Sequence, residues 1–279
     1  MTGWAEQIVI VTGGSRGIGR AISRALAARG AAICINYATR AVEAEAAAGE
    51  IAATGGRVIA VQADVADADA VARMVARTEA ELGPVSILVN NAGVSSPATL
   101  DSYDPAAMAR MRRVNVDGVI HTIRAVAPGM QERGYGRIVN IASNAAIGTA
   151  LPATTFYAAT KAEVLILTRR FAMELGRRGI TVNAVAPGWI VTEMASAGHS
   201  DEEFQARVRN MSQLTMVGRT GRPDDIANAV AFLASPESGF VTAQILTIDG
   251  GRTDYSATGK LCEPRISARP WANVKPAHW

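Results

Sequence analysis

Short apolar runs alternate along the chain with longer, alanine-rich segments. The apolar runs are continuous and do not alternate with polar residues, which is typical of parallel strands buried on both faces. The pattern predicts strands at residues 8–12, 32–36, 57–62, 87–90, 137–141, 181–186 and 245–248. It predicts helices near residues 17–29, 40–54, 68–82, 105–132, 155–178 and 223–233.

The order of these elements predicts the fold class. Strands that alternate with helices form right-handed βαβ units, in which the strands are parallel. The sequence therefore predicts an α/β protein with a doubly wound, Rossmann-type parallel sheet of about seven strands. Helices should cover both faces of the sheet, in a single domain without internal repeats or linkers.

Two segments depart from this alternation. Residues 195–217 are polar and stand between a strand and a helix. A long irregular insertion of this kind is often an active-site lid, and a merely mobile loop is the alternative. After Gly251 the alternation stops. We predict a dinucleotide-binding and catalytic domain at 1–251 and a C-terminal extension at 252–279, which is an arm over a neighbouring subunit, a flap over the site or partly disordered.

Composition excludes several classes of function. The chain has 279 residues, of which 49% are hydrophobic, enough for a large core. The net charge of +3 is evenly spread, so neither nucleic acid nor a membrane surface is expected as a partner. Cys34 and Cys262 form no disulfide or metal-binding pattern, and the three histidines are scattered. Without a signal peptide or an apolar run near ~20 residues, we expect a cytoplasmic protein.

The first predicted strand leads directly into a glycine-rich turn, and a helix follows at once. The turn reads Thr12-Gly13-Gly14-Ser15-Arg16-Gly17-Ile18-Gly19. Gly13 permits a tight turn, Gly17 lets the backbone approach a pyrophosphate, and Gly19 lets the helix pack near the strand. N–H groups at the helix N-terminus would then face the phosphates. The motif predicts dinucleotide binding, with a purely structural turn as the alternative.

Lysine is used sparingly, which draws attention to Lys161. Three of the 28 basic residues are lysine, and the other two, Lys260 and Lys275, lie in the last twenty positions. Lys161 stands four residues after Tyr157, so on a helix the two side chains share a face. Unlike arginine, lysine is a compact charge whose pKa can be shifted. The pair indicates chemistry that arginine cannot perform, and a solvated helix pair is the alternative.

The Thr-Gly-x-x-x-Gly-x-Gly spacing and the Tyr-x-x-x-Lys motif resemble those of the short-chain dehydrogenase/reductases. The resemblance covers about residues 5–251, and within that family the chain is similar to 3-oxoacyl-carrier-protein reductases. Ser143 and Tyr157 are 14 positions apart, one more than in many members, which indicates an altered loop around 147–155. Further motifs follow in the family's order: Asn90-Asn91-Ala92-Gly93, Asn115 in Arg113-Val114-Asn115-Val116, Ser143, Pro187-Gly188 and Asp249-Gly250-Gly251.

The resemblance implies an oxidoreductase that transfers a hydride between NADP(H) and a carbonyl or secondary alcohol. Tyr157 would be the general acid/base, and Lys161 with an oxidised nicotinamide would favour its phenolate. Lys161 would also bind the nicotinamide ribose. Ser143 would donate to the substrate oxygen, and Asn115 would hold a water that links Lys161 to solvent. The alternative roles are structural: a lone serine at the end of a strand is usually a helix or turn cap, and a lone asparagine in a helix is usually exposed.

The residues after the second strand bear on the choice of cofactor. A carboxylate there would bind the 2′-hydroxyl of NAD(H), but none is present. Arg16 and Arg40 are placed to reach a 2′-phosphate, so NADP(H) is favoured; if both are ordinary surface residues, NAD(H) is the alternative. Asp64 is expected at the adenine, or as a cap for the helix near Asp67. The expected cofactor-binding set is Gly13, Ser15, Arg16, Gly17, Ile18, Gly19, Asn36, Tyr37, Arg40, Asp64, Val65, Asn91, Ala92, Gly93, Tyr157, Lys161, Pro187, Gly188, Ile190 and Thr192.

Other functional classes are a non-catalytic dinucleotide-binding regulator, an NAD(H)-dependent alcohol or sugar dehydrogenase, and a scaffold that assembles through the tail. The complete set of Asn115, Ser143, Tyr157 and Lys161 argues against a pure binding protein. The family usually forms tetramers through the helices at 105–132 and 155–178, so we expect a homotetramer, with a dimer as the alternative. The substrate pocket is expected at 95–99, 145–156 and 189–214, which favours a moderately apolar carbonyl compound.

Overall fold

The computed structural model describes residues 3–149, 151–196, 198 and 200–252. At its centre lies a seven-stranded sheet in the order β3-β2-β1-β4-β5-β6-β7, and each neighbouring pair is parallel. All seven strands agree with the predicted ones to within one residue at each end. The strands are β1 (Ile8–Val11), β2 (Ala32–Tyr37), β3 (Val58–Gln62), β4 (Ile87–Asn90), β5 (Gly136–Ile141), β6 (Ile180–Pro187) and β7 (Ile245–Ile248).

Helices cover both faces of the sheet, so the predicted doubly wound α/β fold is confirmed. They are α1 (Gly17–Ala27), α2 (Ala41–Ala53), α3 (Ala68–Glu81), α4 (Pro105–Arg112), α5 (Gly118–Arg133), α6 (Thr155–Leu175), α7 (Glu193–Ser196), α8 (Asp201–Gln213) and α9 (Pro223–Ala234). Four 3-10 turns lie at Trp4–Glu6, Asn144–Ile147, Gly176–Arg178 and Pro236–Ser238.

The core consists of two layers, one on each face of the sheet. Ile8 and Ile10 of β1 pack into the layer formed with α3, α5 and α6. Val9 and Val11 of the same strand pack into the layer formed with α1, α2 and α9. Because side chains of a strand point alternately to its two faces, burial of both faces requires an uninterrupted apolar run. This is why the strands could be read from the sequence.

The winding of the sheet reverses at β1. This strand pairs with β2 on one side and with β4 on the other, so the connections from β1 and from β4 run in opposite directions. Such a switch point opens a crevice at the carboxyl ends of the strands, where ligands bind in open α/β sheets. The glycine-rich turn after β1 lies at this crevice.

The long helix predicted at 105–132 is interrupted, which corrects the sequence-based expectation. A π-helical turn at Arg113–Asp117 separates α4 from α5 and contains Asn115. A π-turn inserts one extra residue without breaking the helix, so the apolar pattern changes little. Such turns are frequent at functional sites.

The expectation of an irregular insertion at 195–217 was wrong, because most of this segment is helix α8. Ser200 and Glu203 form a capping box at its start: Ser200 N donates to Glu203 Oε2 at 2.8 Å, and Glu203 N donates to Ser200 Oγ at 3.3 Å. The Ser-x-x-Glu pattern was visible in the sequence and is a signal of helix N-termini.

The expected division at 251/252 stays a prediction, because residues 253–279 lie outside the described part of the chain. None of the helices within that part combines the length and the apolar character that crossing a bilayer requires. Across the same residues, no group of three or more His, Cys, Asp and Glu side chains is arranged to hold a metal ion.

Candidate active site

The glycine-rich turn after β1 is built so tightly that glycine is required at its end. Gly13 has φ of 61° and Gly17 has φ of 51°, both in the left-handed region. A Cβ on Gly19 would collide with Gly13 O and would lie 2.6 Å from Asn91 Nδ2. The backbone of the turn therefore packs directly on the first turn of α1, as the sequence predicted.

The N-terminus of α1 is left open by its own sequence. Arg16 is the N-cap residue, and no side chain accepts a hydrogen bond at the cap. The first N–H groups of a helix have no partner within the helix and carry partial positive charge, so this end suits an anion. Thr192 and Glu193, at the start of α7, lie beside Gly17: a Cβ there would be 3.3 Å from Thr192 Cγ2 and 3.5 Å from Glu193 Oε2.

The turn after β4 is tied to the turn after β1. Thr12 Oγ1 accepts hydrogen bonds from the N–H groups of Asn91 and Ala92, both at 3.0 Å. Asn91 Nδ2 donates in return to Thr12 O at 2.9 Å and to Gly13 O at 3.0 Å. The side chain of Asn91 therefore holds the two turns together and fixes the walls of the crevice.

Tyr157 and Lys161 lie on one face of α6, with Lys161 Nζ 5.9 Å from the centroid of the Tyr157 ring. Lys161 is 4% exposed, and its Nζ donates to Ile141 O at 2.8 Å. This burial excludes the alternative of a solvated helix pair. Ser143 follows β5, and its Oγ accepts from Ala145 N at 3.1 Å. The structure therefore brings Ser143, Tyr157 and Lys161 together at the carboxyl end of β5.

Burial favours the neutral form of both Tyr157 and Lys161. It raises the pKa of the Tyr157 hydroxyl, and a hydrogen bond with the Ser143 hydroxyl offsets part of the rise. It lowers the pKa of the Lys161 ammonium to about 8. The phenolate-favouring effect expected of Lys161 with an oxidised nicotinamide stays a prediction.

Asn115 is fully buried in the π-helical turn and is fixed by three hydrogen bonds. Its Oδ1 accepts from Val94 N at 2.8 Å, and its Nδ2 donates to Val94 O at 2.9 Å and to Thr160 Oγ1 at 3.0 Å. A Cβ on Gly93 would lie 3.3 Å from Asn115 Oδ1 and 3.4 Å from Lys161 Nζ. Asn115 and Lys161 thus both lie close to Gly93, where the absence of a side chain leaves room for them.

The residues expected at the adenosine end separate into two groups. Asn36 is 1% exposed, and its amide contacts protein: Oδ1 accepts from Gly13 N at 3.4 Å and Nδ2 donates to Ala63 O at 2.9 Å. Asn36 therefore supports the turn from behind. Asp64 is exposed and accepts from Ala66 N, and the helix cap is Asp67.

Arg16 and Arg40 lie on one cavity of about 370 Å³ beside the turn. Both arginines thus have access to the same space, and its use by a ribose 2′-phosphate stays a prediction. Of the remaining expected residues, Tyr37 ends β2, Pro187 ends β6, and Val65 is buried. After β6, Gly188 N donates to Ile248 O at 2.9 Å, and Ile190 pairs with Gly221. Of the expected substrate segments, two are joined where Ala98 N donates to Ala153 O at 3.0 Å.

Comparison with known proteins decides the family. A family profile described as enoyl-(acyl carrier protein) reductase matches residues 13–253. A 3-oxoacyl-[acyl-carrier-protein] reductase of Synechocystis is 38% identical over 252 residues, which are 90% of this chain and 98% of that protein. One from Staphylococcus aureus is 41% identical over 243 residues, or 87% and 96% of the two chains. The chain belongs to the short-chain dehydrogenase/reductase family.

Solved structures agree with this assignment. A short-chain dehydrogenase/reductase from Serratia marcescens has a TM-score of 0.81 and 39% identity, over 88% of this chain and 97% of that one. A Burkholderia cenocepacia short-chain dehydrogenase in complex with NADP has a TM-score of 0.79, 38% identity and coverage of 88% and 97%. A 7α-hydroxysteroid dehydrogenase in complex with NADH has a TM-score of 0.83, 35% identity and coverage of 89% and 95%.

The protein is therefore an oxidoreductase of the short-chain dehydrogenase/reductase family with a nucleotide-binding fold. Of the solved relatives named above, one is in complex with NADP and another with NADH, so membership of the family does not decide the nicotinamide. Sequence reasoning missed Thr12 and Thr160, which hold the Asn91 turn and Asn115. It also missed Glu193, which lies beside Gly17. Their contacts join segments that are far apart in the chain, and short motifs carry no signal of such contacts.

Proposed function

We propose that this enzyme transfers a hydride between NADP(H) and a carbonyl or secondary alcohol, with Tyr157 as the general acid/base. The observation that carries the proposal is the meeting of Tyr157, Lys161 and Ser143 at the carboxyl end of β5, which is the same end of the parallel sheet as the glycine-rich turn after β1. A phenol, a buried ammonium and a hydroxyl at the carboxyl end of the sheet suit proton transfer to an oxygen next to a dinucleotide.

The residues present fit a dinucleotide. Gly19 leaves no room for a side chain, and the uncapped end of α1 offers N–H groups to a pyrophosphate. Gly13, Ser15, Gly17, Ile18 and Thr192 would hold that end. Lys161 would bind the ribose next to the nicotinamide, and the residues after β4 and β6 would flank the ring. When bound, the cofactor would supply or accept the hydride.

The protein would then handle the proton. In the direction of reduction, the Tyr157 hydroxyl would donate its proton to the carbonyl oxygen as that oxygen gains negative charge. The Ser143 hydroxyl would donate a hydrogen bond to the same oxygen and orient it. Asn115, held at Gly93 near Lys161, would bind a water through which Tyr157 regains its proton from solvent. The reverse direction uses the same groups in the opposite order.

A substrate panel tests this function directly. NADPH consumption should be measured with ketones, 3-oxoacyl thioesters, sugars and steroids. The proposal expects turnover with at least one carbonyl class and none with matched compounds that lack a carbonyl group. Absence of turnover with every class, in a protein that binds NADPH, would favour a non-catalytic dinucleotide-binding protein.

NADPH should be preferred over NADH, because Arg16 and Arg40 reach one cavity and no carboxylate ends β2. We expect a Michaelis constant for NADPH roughly 10- to 100-fold below that for NADH, as one charge-assisted contact contributes about 1.5–3 kcal/mol. Arg16→Ala should raise the NADPH value and leave the NADH value near that of the parent. The ion pair of Arg40 with Glu43 favours NAD(H), and a lower Michaelis constant for NADH would support that alternative.

Affinity for NADPH should fall as the pH rises through about 8, because burial lowers the pKa of Lys161 to about 8. Below that pH the ammonium attracts the anionic cofactor, whereas the neutral amine above it does not. Linkage gives up to roughly tenfold weaker binding per pH unit until the pKa of the bound form is reached. Nicotinamide fluorescence titrations at several pH values measure this. The Lys161→Arg variant keeps a positive charge, and it should bind NADPH weakly without a fall in affinity near pH ~8. An equal fall in that variant would assign the titration to another group.

A homotetramer is the proposed assembly, with α6 in one interface. Ile166 and Met173 are 59% and 68% exposed, and seven residues apart they share one face of α6. Changing both to glutamate should shift the molar mass in light scattering from tetramer toward dimer. Val42→Glu, which charges an apolar residue that is 78% exposed on α2, is the control and should leave the mass unchanged. An unchanged mass in the α6 double variant would place the interfaces elsewhere.

A further inference from the structure

The cavity beside the glycine-rich turn is lined by charges of both signs. Its volume is about 370 Å³, and it lies where the N-termini of α1 and α2 approach each other. Its lining includes three arginines and two glutamates, together with Ser15 and Ala46. The charged lining residues are Arg16, Arg20, Arg40, Glu43 and Glu193.

Two of the three arginines are already paired with carboxylates. Arg20 pairs with Glu50 of α2. Arg40 Nη1 lies 2.8 Å from Glu43 Oε1, one turn further along α2. Among the described residues, Arg16 forms no ion pair. Arg16 is therefore the cavity arginine whose charge is not already matched by a direct partner.

We infer that Glu43 limits the preference of this enzyme for NADP(H), because it holds Arg40 and places a negative charge where a ribose 2′-phosphate would bind. This inference rests on the proposed function, in which the cavity receives the adenosine ribose. Glu43 should weaken binding of a 2′-phosphorylated nucleotide and leave binding of an unphosphorylated one nearly unchanged. The two arginines would then contribute unequally, with Arg16 as the main phosphate contact.

The physical reason is a competition between two anions for one guanidinium. A phosphate monoester carries about −1.5 to −2 charges at neutral pH. To contact Arg40 it must displace the Glu43 carboxylate or share the guanidinium with it, and both arrangements bring like charges together. The hydrogen bond from Arg40 lowers the pKa of Glu43, as does the charge of Arg16, so Glu43 is ionised at neutral pH. A ribose 2′-hydroxyl is uncharged and meets no such opposition.

Two other roles of Glu43 make different predictions. Glu43 lies in the first turn of α2, where a carboxylate stabilises the helix dipole. If that were its whole role, removing the charge would lower thermal stability slightly and leave nucleotide binding unchanged. If Glu43 instead orients Arg40 toward the phosphate, removing the charge would weaken binding of the phosphorylated nucleotide.

The test measures dissociation constants of adenosine 2′,5′-bisphosphate and adenosine 5′-monophosphate by calorimetry, independently of turnover. In Glu43→Gln, the bisphosphate should bind about three- to tenfold more tightly, because the substitution removes one surface charge that both repels the phosphate and competes with it for Arg40. The monophosphate should change less than about twofold. Glu43→Ala should act in the same direction. Adding Arg40→Ala to Glu43→Gln should abolish the gain, because Arg40 would then no longer be there to be released.

Glu81→Gln is the matched control. The Arg77–Glu81 pair has a 2.7 Å contact and side-chain exposures of 53% and 43%, close to the 54% and 40% of Arg40 and Glu43, but it lies at the far end of α3. It should not change either constant. Unchanged or weaker bisphosphate binding in both Glu43 variants would overturn the inference. The proposed NADP(H) preference is judged separately by the parent protein: failure to prefer the bisphosphate refutes that preference, whereas a gain in Glu43→Gln would still support the role of Glu43.

Discussion

Replacing Tyr157 with phenylalanine should lower kcat by roughly 10²- to 10⁴-fold, the usual contribution of a positioned general acid. Burial raises the pKa of Tyr157, so the hydroxyl is protonated at neutral pH and can donate in the direction of reduction. Phenylalanine at position 157 keeps the aromatic ring and removes only the hydroxyl that donates the proton. The dissociation constant for NADPH should therefore stay within about twofold of the parent value, because the residues proposed to bind the cofactor are otherwise unchanged.

Steady-state kinetics and a fluorescence titration with NADPH separate these two effects. Tyr135→Phe is the matched control, because it removes the same hydroxyl just before the amino end of β5, whereas Ser143 follows its carboxyl end. That variant should keep parental turnover. Near-normal kcat in Tyr157→Phe would mean that another group supplies the proton. Loss of NADPH binding along with kcat would instead indicate a structural role for the phenol.

The strands and the main helices could be predicted because their burial leaves a local record. The central strands are covered on both faces, so their apolar runs are long and their ends are sharp. The edge strands β3 and β7 are only partly buried but keep short apolar runs. The π-turn at Arg113–Asp117 leaves almost no such record, since one extra residue hardly alters the apolar pattern of a continuing helix. Helix α8 was missed because it has no fully buried residue, so the capping box at Ser200 was its main signal.

The candidate site divides in the same way. Tyr157 and Lys161 could be paired from the sequence because helical geometry brings i and i+4 together within one element. The contacts that hold them could not be read in this way. Lys161 Nζ donates to Ile141 O, 20 positions away, and Asn115 Nδ2 donates to Thr160 Oγ1, 45 positions away. Such partners are set by how α5, α6 and β5 pack, which depends on the whole core.

The Arg40–Glu43 pair is an exception that sharpens this distinction. It spans three positions on one helix and was therefore within reach of sequence reasoning. Its significance was not, because that depends on Arg16 and Glu193 facing the same cavity from α1 and α7. Local spacing thus predicts which residues can pair, and the fold determines which pairs compete with a ligand.

Gly19→Ala should weaken NADPH binding more than the removal of any single side chain at the site. A Cβ at this position would collide with Gly13 O and approach Asn91 Nδ2 to 2.6 Å. Gly13 O is a backbone atom, and Asn91 Nδ2 is held by its hydrogen bonds to Thr12 O and Gly13 O. The turn, the start of α1 or the Asn91 turn must therefore move. A displacement of about 1 Å in a binding geometry can cost on the order of 10²-fold, so we expect at least that loss of NADPH affinity.

Overpacking should also lower the free energy of unfolding, by about 1–3 kcal/mol, measured by denaturant titration without nucleotide. Gly49→Ala is the matched control: it lies within α2, where an added Cβ has no atom within 4 Å. Because alanine is favoured over glycine in a helix interior, that control should be more stable by about 0.5–1 kcal/mol and should bind NADPH normally. If Gly19→Ala bound NADPH as tightly as the parent, the pyrophosphate could not rest on this turn, and the dinucleotide would have to bind elsewhere along the crevice.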